Sequence, residues 1–457
     1  MRATIEGCCH NQLEQIYKTL NHIENVENIK IDLLLICGDF QSIRNLEDYK
    51  SLAVPVKYQT LGTFYKYYTG ELKAPYPTLF IGGNHEVISY LWEIYYGGWV
   101  CENIYFLGYG GVVHFGGLRI GGLSGIYNPR HYKLGHFETL PYSESTVRSA
   151  YHIREYDIRN PLDIFMSHDW PGKITNYGDL ETLLRFKPHF ESDIKSGKLG
   201  SAACDELLFK LKPKYWFAAH LHVKFSAIVY HGEGQPSSQG INNFDLNSDE
   251  INIDFTKDLN PDEINIDLDE DFKNPDETKI DSKNCVNKDE ILVSLEDNNT
   301  KNLASPVENV LEQSKESINE NSKISDITPS NSHINDDVIE GQPLCTKFLS
   351  LDKCLPGRDF LQILDFPEAK GPLEFSYDEE WKKFKELQWV RENISQKEAG
   401  LVIPHNFQTT APAYGQQQTF IIQKPFINSQ TEAFAKFINI QNNINPKGQI
   451  PSKDVSN

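Results

Sequence analysis

Disulfide chemistry and membrane insertion are the first things this sequence argues against. Its 457 residues include eight cysteines, but no C-x-x-C pair and no regular cysteine spacing. The thiols are therefore read as reduced. No uninterrupted apolar run approaches the roughly 20 residues that cross a bilayer, so no membrane partner is expected. The opening Met1-Arg2-Ala3-Thr4-Ile5-Glu6 lacks the apolar core of a signal peptide. A soluble nuclear or cytosolic protein is expected, and no compact Lys/Arg cluster chooses between the two compartments.

Positive charge and aromatics are scarce in one stretch. Residues 241–340 hold no Arg, eight Lys and 26 Asp or Glu, and their aromatics are Phe244, Phe255 and Phe272 alone. That stretch carries −18 of the formal −20, which leaves 38 acidic against 36 basic residues elsewhere. The overall acidity is thus no argument against an RNA substrate. From 233 to 342 the chain is rich in Asn, Asp, Glu, Ser and Ile and repeats Asp249-Glu250-Ile251-Asn252-Ile253-Asp254 as Asp262-Glu263-Ile264-Asn265-Ile266-Asp267. Low hydrophobicity with high charge predicts a disordered low-complexity insert.

Outside the insert, apolar runs bounded by Gly or polar loops recur at 3–5, 31–37, 78–81, 104–107, 164–166 and 215–219. They read as buried strands, with helical spacing between them at Leu13, Ile16, Tyr17 and Leu20 and again over 204–211. A layered α/β domain follows. Alternation returns at 346–351 and 360–364, and both segments are expected to rejoin the same sheet. Chain entropy permits such a detour, since each doubling of loop length costs only about 0.6 kcal/mol. Ser376 and Glu379 have the spacing of a capping box, and Trp381, Phe384, Leu387 and Ile394 give the following helix an apolar side. The Gln/Asn/Pro-bearing chain after Pro404 reads as a loose tail.

The chemistry sits in short polar loops that follow the strand-like runs. In order they are Cys8-Cys9-His10, Gly38-Asp39, Gly83-Asn84-His85-Glu86, His168-Asp169 and His220-Leu221-His222. Singly, each is weak: a Gly-Asp pair is usually a turn, and a lone His such as His168 is usually a hydrogen-bonded core residue. Together they read as a two-metal phosphoesterase site. Asp39 can bridge two cations, the Asn84 carbonyl is a neutral ligand, and His85 can protonate a departing alkoxide. Alternation would point His220 and His222 to one face of a strand end. Cys8 stands where the general pattern has a carboxylate, and its softer thiolate favours Zn or Fe over Mg. Cys9 should face the other way.

At these residues the chain resembles the RNA lariat debranching enzymes, a branch of the calcineurin-like metallophosphoesterases. The resemblance covers most of 1–232 and resumes near Thr346. It rests on Gly7-Cys8-Cys9-His10, Cys37-Gly38-Asp39-Phe40-Gln41, Phe80-Ile81-Gly82-Gly83-Asn84-His85-Glu86, Ser167-His168-Asp169-Trp170-Pro171, Ala219-His220-Leu221-His222-Val223-Lys224-Phe225 and Leu351-Asp352-Lys353-Cys354-Leu355-Pro356. It implies a β-sandwich flanked by helices, with one metal held by Cys8, His10, Asp39 and His222 and a second by Asp39, Asn84, His168 and His220. One or two divalent ions per chain (Fe, Zn or Mn) would support in-line attack on a 2',5'-phosphodiester, with His85 protonating the branch-point 2'-oxygen.

The resemblance further implies a branched intron lariat RNA as substrate, splicing-associated proteins as partners, no DNA, and the nucleus, then the cytoplasm, as location. Residues 124–160 are similar to that family's lariat-recognition loop. Tyr127, Tyr132, Phe137, Tyr142, Tyr151 and Tyr156 lie there among Arg130, Lys133, Arg148, Arg154 and Arg159, a mixture suited to base stacking and phosphate contact. Ser124, Tyr127, Arg130, Tyr132, Lys133 and His136 are the candidate RNA contacts. The expected division is a catalytic domain at 1–232, the insert at 233–342, sheet completion and a helix at 343–403, and a flexible tail at 404–457. Asn11 stands where the family usually has Gly, and Asn is among the residues that best tolerate positive φ. The rivals are a general metallophosphoesterase and a non-catalytic RNA-binding scaffold.

Overall fold

The computed structural model describes residues 1–155, 162–231, 345–378, 401–416, 420–438 and 440–444. The acidic insert lies outside these residues, as do Tyr156, Arg159, Glu379 and the helix expected to carry Trp381, Phe384, Leu387 and Ile394.

Short runs of β-branched and aliphatic residues, buried on both faces, make parallel strands rather than alternating ones. Four such strands, β1 (Arg2–Glu6), β2 (Leu33–Ile36), β3 (Thr78–Phe80) and β5 (Ile104–Phe106), run parallel in a six-stranded sheet. Antiparallel β12 (Leu361–Asp365) flanks β1, and antiparallel β4 (Gly98–Cys101) flanks β5. A seven-stranded sheet has a second parallel core of β7 (Leu118–Leu123), β8 (Ile164–Ser167), β9 (Tyr215–Ala218) and β11 (Cys345–Ser350). Antiparallel pairing adds β10 (Phe225–Tyr230) beside β11, β6 (Gly110–Phe115) beside β7, and β13 (Ser376–Tyr377) beside β6.

Alternation along each strand divides the core in two. Leu33 and Leu35 join Ile5, Leu79, Phe115, Met166, Phe217 and Leu349 between the sheets, while Leu34 and Ile36 face helix α1 (Leu13–Glu27) with Ile16 and Leu20. Each fully buried Leu or Ile contributes about 2 kcal/mol. Cys8 falls in the inter-sheet cluster and Cys9 in the helix-facing one, as their opposed directions predict. The sandwich flanked by helices is therefore as expected.

Three expectations fail. First, β11 and β12 do not rejoin one sheet: β11 inserts between β9 and β10, and β12 edges β1 in the other sheet. Alternation marks a strand but carries no address, and the connection from Leu351 to Phe360 crosses the sandwich. Second, Ser376, expected at a helix start, lies in strand β13 and pairs with His114 of β6.

Third, the chain after Pro404 is not a loose end over its described part. Ala411, Ala413, Ile422, Phe426, Phe434 and Ile438 are buried, and Ser429–Phe437 is a helix capped by Asn428. Thr410 and Ala411 donate their N–H groups to the Tyr68 hydroxyl at 2.6 and 3.0 Å. Gln430 accepts from Trp99 N–H at 2.7 Å and donates to Trp99 O at 2.8 Å, so a side-chain amide blunts the open edge of β4. Sparse apolar residues among Gln, Asn and Pro concealed this packing.

At the mouth of the insert, Tyr230 and Cys345 are antiparallel partners, so the chain leaves and re-enters the sheet at neighbouring positions.

Candidate metal centre

Every expected ligand lies just beyond the carboxyl end of a parallel strand. Cys8 and His10 follow β1, Asp39 follows β2, Asn84 and His85 follow β3, His168 follows β8, and His220 and His222 follow β9. Both sheets thus contribute to one crevice. Ligand atoms of Cys8, His10, Asp39 and His222 all lie within 4.8 Å of one another. Asp39 faces two ways: its Oδ2 is 3.6 Å from His10 Nε2, and its Oδ1 is 3.4 Å from His168 Nε2. On the second side His168 Nε2 is 3.1 Å from Asn84 Oδ1, and the His220 ring centroid is 5.0 Å from that of His168.

The backbone here is bent to aim these groups. His10, Asp39, His220 and His222 have φ of 41, 49, 63 and 48°, left-handed values that cost non-Gly residues free energy and gather at functional sites. This corrects the expectation for His220 and His222. Strand β9 ends at Ala218, and two left-handed turns, not strand alternation, deliver both rings. Asn11 adopts φ 66°, a left-handed value that Asn tolerates well. Gly38 has φ +117°, and a Cβ there would lie 2.2 Å from His168 Nδ1; a Cβ on Gly83 would lie 2.1 Å from Asp39 Oδ1. Only glycine leaves room for the ligands at these two points.

The electrostatics suit a cation. Burial opposes charge on Asp39, yet His168, His85 and His10 hold it well below the usual carboxylate range. Burial pushes His10 and His220 down to about 3, so both present neutral, lone-pair-bearing imidazoles. Burial and Asp39 push the Cys8 thiol up. A divalent cation reverses that preference by binding the thiolate directly. Asp39 Oδ2 is buried and accepts no hydrogen bond, while His10 Nε2 and His222 Nε2 face each other at 3.0 Å. A buried carboxylate oxygen that accepts no hydrogen bond, beside convergent imidazole nitrogens and a thiol, is what a metal ion satisfies, and the donor set fits one.

Other residues hold the ligands. His168 Nδ1 is fixed at 2.8 Å from the Cys37 carbonyl, so its Nε2 is the atom offered to the site. His85 N–H donates to Asp39 Oδ1 at 2.8 Å, and its Nδ1 lies 3.0 Å from Ala53 O. Sequence reasoning gave Glu86 no role. Fully buried, its carboxylate accepts from Phe40 N, Gln41 N and Gly83 N at 2.7, 2.9 and 3.1 Å and ties the Asp39 and Asn84 loops together. Asp169, also missed, accepts from Tyr127 N at 3.3 Å and anchors the 124–155 segment to the His168 turn. Their only sequence signal was adjacency to a ligand.

Within that segment the six candidate contacts separate. Arg130 and Lys133 are exposed, and Tyr127 and Tyr132 are half-buried with ring centroids 5.4 Å apart. Ser124 is turned inward: its hydroxyl donates to Gly108 O at 2.7 Å and accepts from Gly82 N at 2.9 Å. His136 packs edge-on against Trp92, Tyr95 and Tyr109 at 5.0, 5.8 and 5.5 Å. Beside it, burial raises the Glu138 carboxyl, but His136, Ser149 and Arg154 outweigh burial and hold it at about 2. These contacts tie Ser124 and His136 to the body of the domain.

Comparison with known proteins agrees with the geometry. Residues 1–224 match the calcineurin-like phosphoesterase family, which implies divalent metal ions, and residues 343–383 and 382–443 match the lariat debranching enzyme C-terminal domain. The chain is 39% identical to the lariat debranching enzyme of Arabidopsis thaliana, over 96% of this chain and 86% of that one. It is 37% identical to the lariat debranching enzyme of Schizosaccharomyces pombe, over 96% of both chains. A shorter match, 55% identical, joins 51% of this chain to 45% of the lariat debranching enzyme of Drosophila melanogaster. A cysteine-bearing cage at the strand ends of a two-sheet sandwich, and relatives that align along nearly the whole chain, lead to one conclusion: this chain belongs to the lariat debranching enzyme family.

Proposed function

We infer that this chain hydrolyses the 2',5'-phosphodiester at the branch point of excised intron lariat RNA and so releases a linear intron. The observation that carries this reading is the placement of Asp39 between two donor sets, with the cysteine-bearing set on one side. Cys8, His10, Asp39 and His222 would hold one cation, and Asp39, Asn84, His168 and His220 a second; Fe, Zn or Mn fits these donors. When bound, the cations supply Lewis-acid charge that polarises the phosphodiester and acidifies water.

The chain's own residues do the rest. His85 Nδ1–H donates to the Ala53 carbonyl at 3.0 Å, which leaves Nε2, 3.2 Å from Asn84 Nδ2, facing the site; with a second proton on that nitrogen, the imidazolium would hand it to the leaving 2'-oxygen and return to the neutral ring. The buried Glu86 bridge keeps the Asp39 and Asn84 loops from separating as charge develops. Arg130 and Lys133 offer exposed positive charge, and Tyr127 and Tyr132 offer rings, to an RNA strand. A nuclear location and contact with splicing-associated proteins accompany this reading, because lariats are released there; imaging of the tagged protein tests the location.

The decisive experiment offers anaerobically purified protein of measured metal content a synthetic branched RNA beside a linear control. Cleavage confined to the branch supports the reading. Equal cleavage of the linear RNA would make the protein a general phosphodiesterase, and metal-loaded protein that cuts neither would make it a scaffold.

A further inference from the structure

Residues 53–60 run from the acid His85 to the turn that carries the ligand His10. At the near end Leu52 is bridged antiparallel to Val87, and the Ala53 carbonyl lies 3.0 Å from His85 Nδ1. At the far end Asn11, the neighbour of His10, donates from Nδ2 to the Thr60 carbonyl at 2.8 Å. Its side chain also rests against Gly62, where a Cβ would come within 2.0 Å of Asn11 Oδ1. The centroids of the His10 and His85 rings are 5.8 Å apart, so the two ties stand on one rim of the crevice. Between them the chain closes on itself. Tyr58 N–H donates to Pro55 O at 2.8 Å, Gln59 N–H to Val56 O at 3.2 Å and Gln59 Nε2 to Val54 O at 2.9 Å, around the helical turn Val56–Tyr58. Val54 and Leu61 pack on the helix-facing core. Val56 is 84% exposed, more than any other large apolar side chain among the described residues, and Tyr58 is half-buried. Lys57 Nζ lies 4.5 Å from the Tyr58 ring centroid, a contact that restricts the ring. A firmly held loop that keeps an apolar side chain and a ring at its tip is placed for recognition.

We propose that Val56 and Tyr58 seat the branch nucleotide, with its ribose against Val56 and its base stacked on the Tyr58 ring. The proposal rests on the debranching reading and deepens it. In-line displacement puts the leaving 2'-oxygen on the face of phosphorus away from the attacking oxygen, and the acid must stand beside that leaving oxygen. Ala53 fixes the His85 ring, so the ribose that owns the 2'-oxygen arrives next to the segment that begins at Ala53. A tyrosine face accepts any base, and such stacking is worth about tenfold in affinity. The branch nucleotide is thus held as a nucleotide, with no demand on its base edge.

The test compares kcat/KM of the parent, Tyr58→Ala, Tyr58→Phe and Val56→Ser, each at measured metal content, on a branched RNA and on the same RNA with an abasic branch nucleotide. Tyr58→Ala is expected to lose about tenfold on the branched RNA and less than about twofold on the abasic one. Tyr58→Phe, which keeps the ring, should match the parent on both. Val56→Ser, at a position too exposed to disturb the core, should lose about threefold on both, because both carry the ribose. Equal losses from Tyr58→Ala on the two RNAs, a Tyr58→Phe as impaired as Tyr58→Ala, or a Val56→Ser indistinguishable from the parent overturns the proposal. If Tyr58→Ala folds poorly, Tyr58→Leu takes its place and is judged by the same ratio. A parent protein that leaves branched RNA uncut removes the debranching reading itself, a separate outcome from any of these.

Discussion

Two buried polar clusters in this molecule invite comparison, one around Asp39 and the other around Arg44. Each joins segments far apart in sequence. Arg44 is fully buried and donates to Asp48 at 2.9 and 3.1 Å, to Glu93 at 2.9 Å and to Thr410 at 3.1 Å, with its guanidinium 4.1 Å over the Tyr90 ring. Thr410 donates in turn to the second Glu93 oxygen at 2.5 Å. Both oxygens of each acid are taken, so the cluster is closed and has nothing left to offer. Around Asp39 the opposite holds: Asp39 Oδ2 is buried and takes no hydrogen bond, and strained left-handed backbone aims His10 and His222 into the same space. Charge and burial do not separate a structural cluster from a ligand site; saturation does.

That contrast breaks if substitutions fail to affect stability and activity in opposite ways. The largest expected effect is on activity. Asp39→Asn should cut branch cleavage by about a thousandfold or more, since it removes the charge shared by both donor sets, while the urea midpoint of the metal-free protein moves far less than that of Arg44→Met. Arg44→Met should do the reverse and cost about 3–5 kcal/mol by leaving Asp48 and Glu93 buried and unpaired. Its folded fraction, measured by denaturation and metal assay, should keep the parent's metal content.

Metal removal sharpens the comparison. Chelation should lower the stability of the parent and of Arg44→Met alike, by about 2.7 kcal/mol where the free cation had been at a hundredfold of its Kd. It should leave Asp39→Asn nearly unmoved. Next, Cys8→Asp hardens the first donor set, and the ratio of Mn-supported to Zn-supported cleavage should rise by about tenfold. The smallest effect belongs to Thr410→Val, which removes hydrogen bonds from the closed cluster and should cost about 1 kcal/mol without changing cleavage at saturating metal.

The metal centre was legible in the sequence to an unusual degree because its ligands ride in short loops directly after apolar runs, so type and order sufficed. The manner of their presentation was not legible. Left-handed φ at His220 and His222 is a property of turns that only the surrounding fold imposes. Strands β6 and β7 were passed over because Gly110, Gly111, Gly121 and Gly122 interrupt their apolar pattern; the β7 glycines are there to admit Leu162 and Leu107. The region after Pro404 was misread because its anchors are polar: Thr410, Asn428 and Gln430 are held by partners more than 300 residues away in the case of Thr410 and Gln430. Glu86 was given no role although it closes a quoted motif, since its task of tying two loops is defined only by what the fold sets beside it.

The pairing of Tyr230 with Cys345 makes the catalytic body divisible. A cut between those residues would yield two polypeptides, one bearing every expected ligand and the other bearing β11, β12 and the Thr410 clasp on Arg44. Zipping β10 against β11 is the natural way for them to find each other. The ligand loops and the strands that complete both sheets would then sit on separate pieces, so that reassembly could be followed by the return of a bound metal ion.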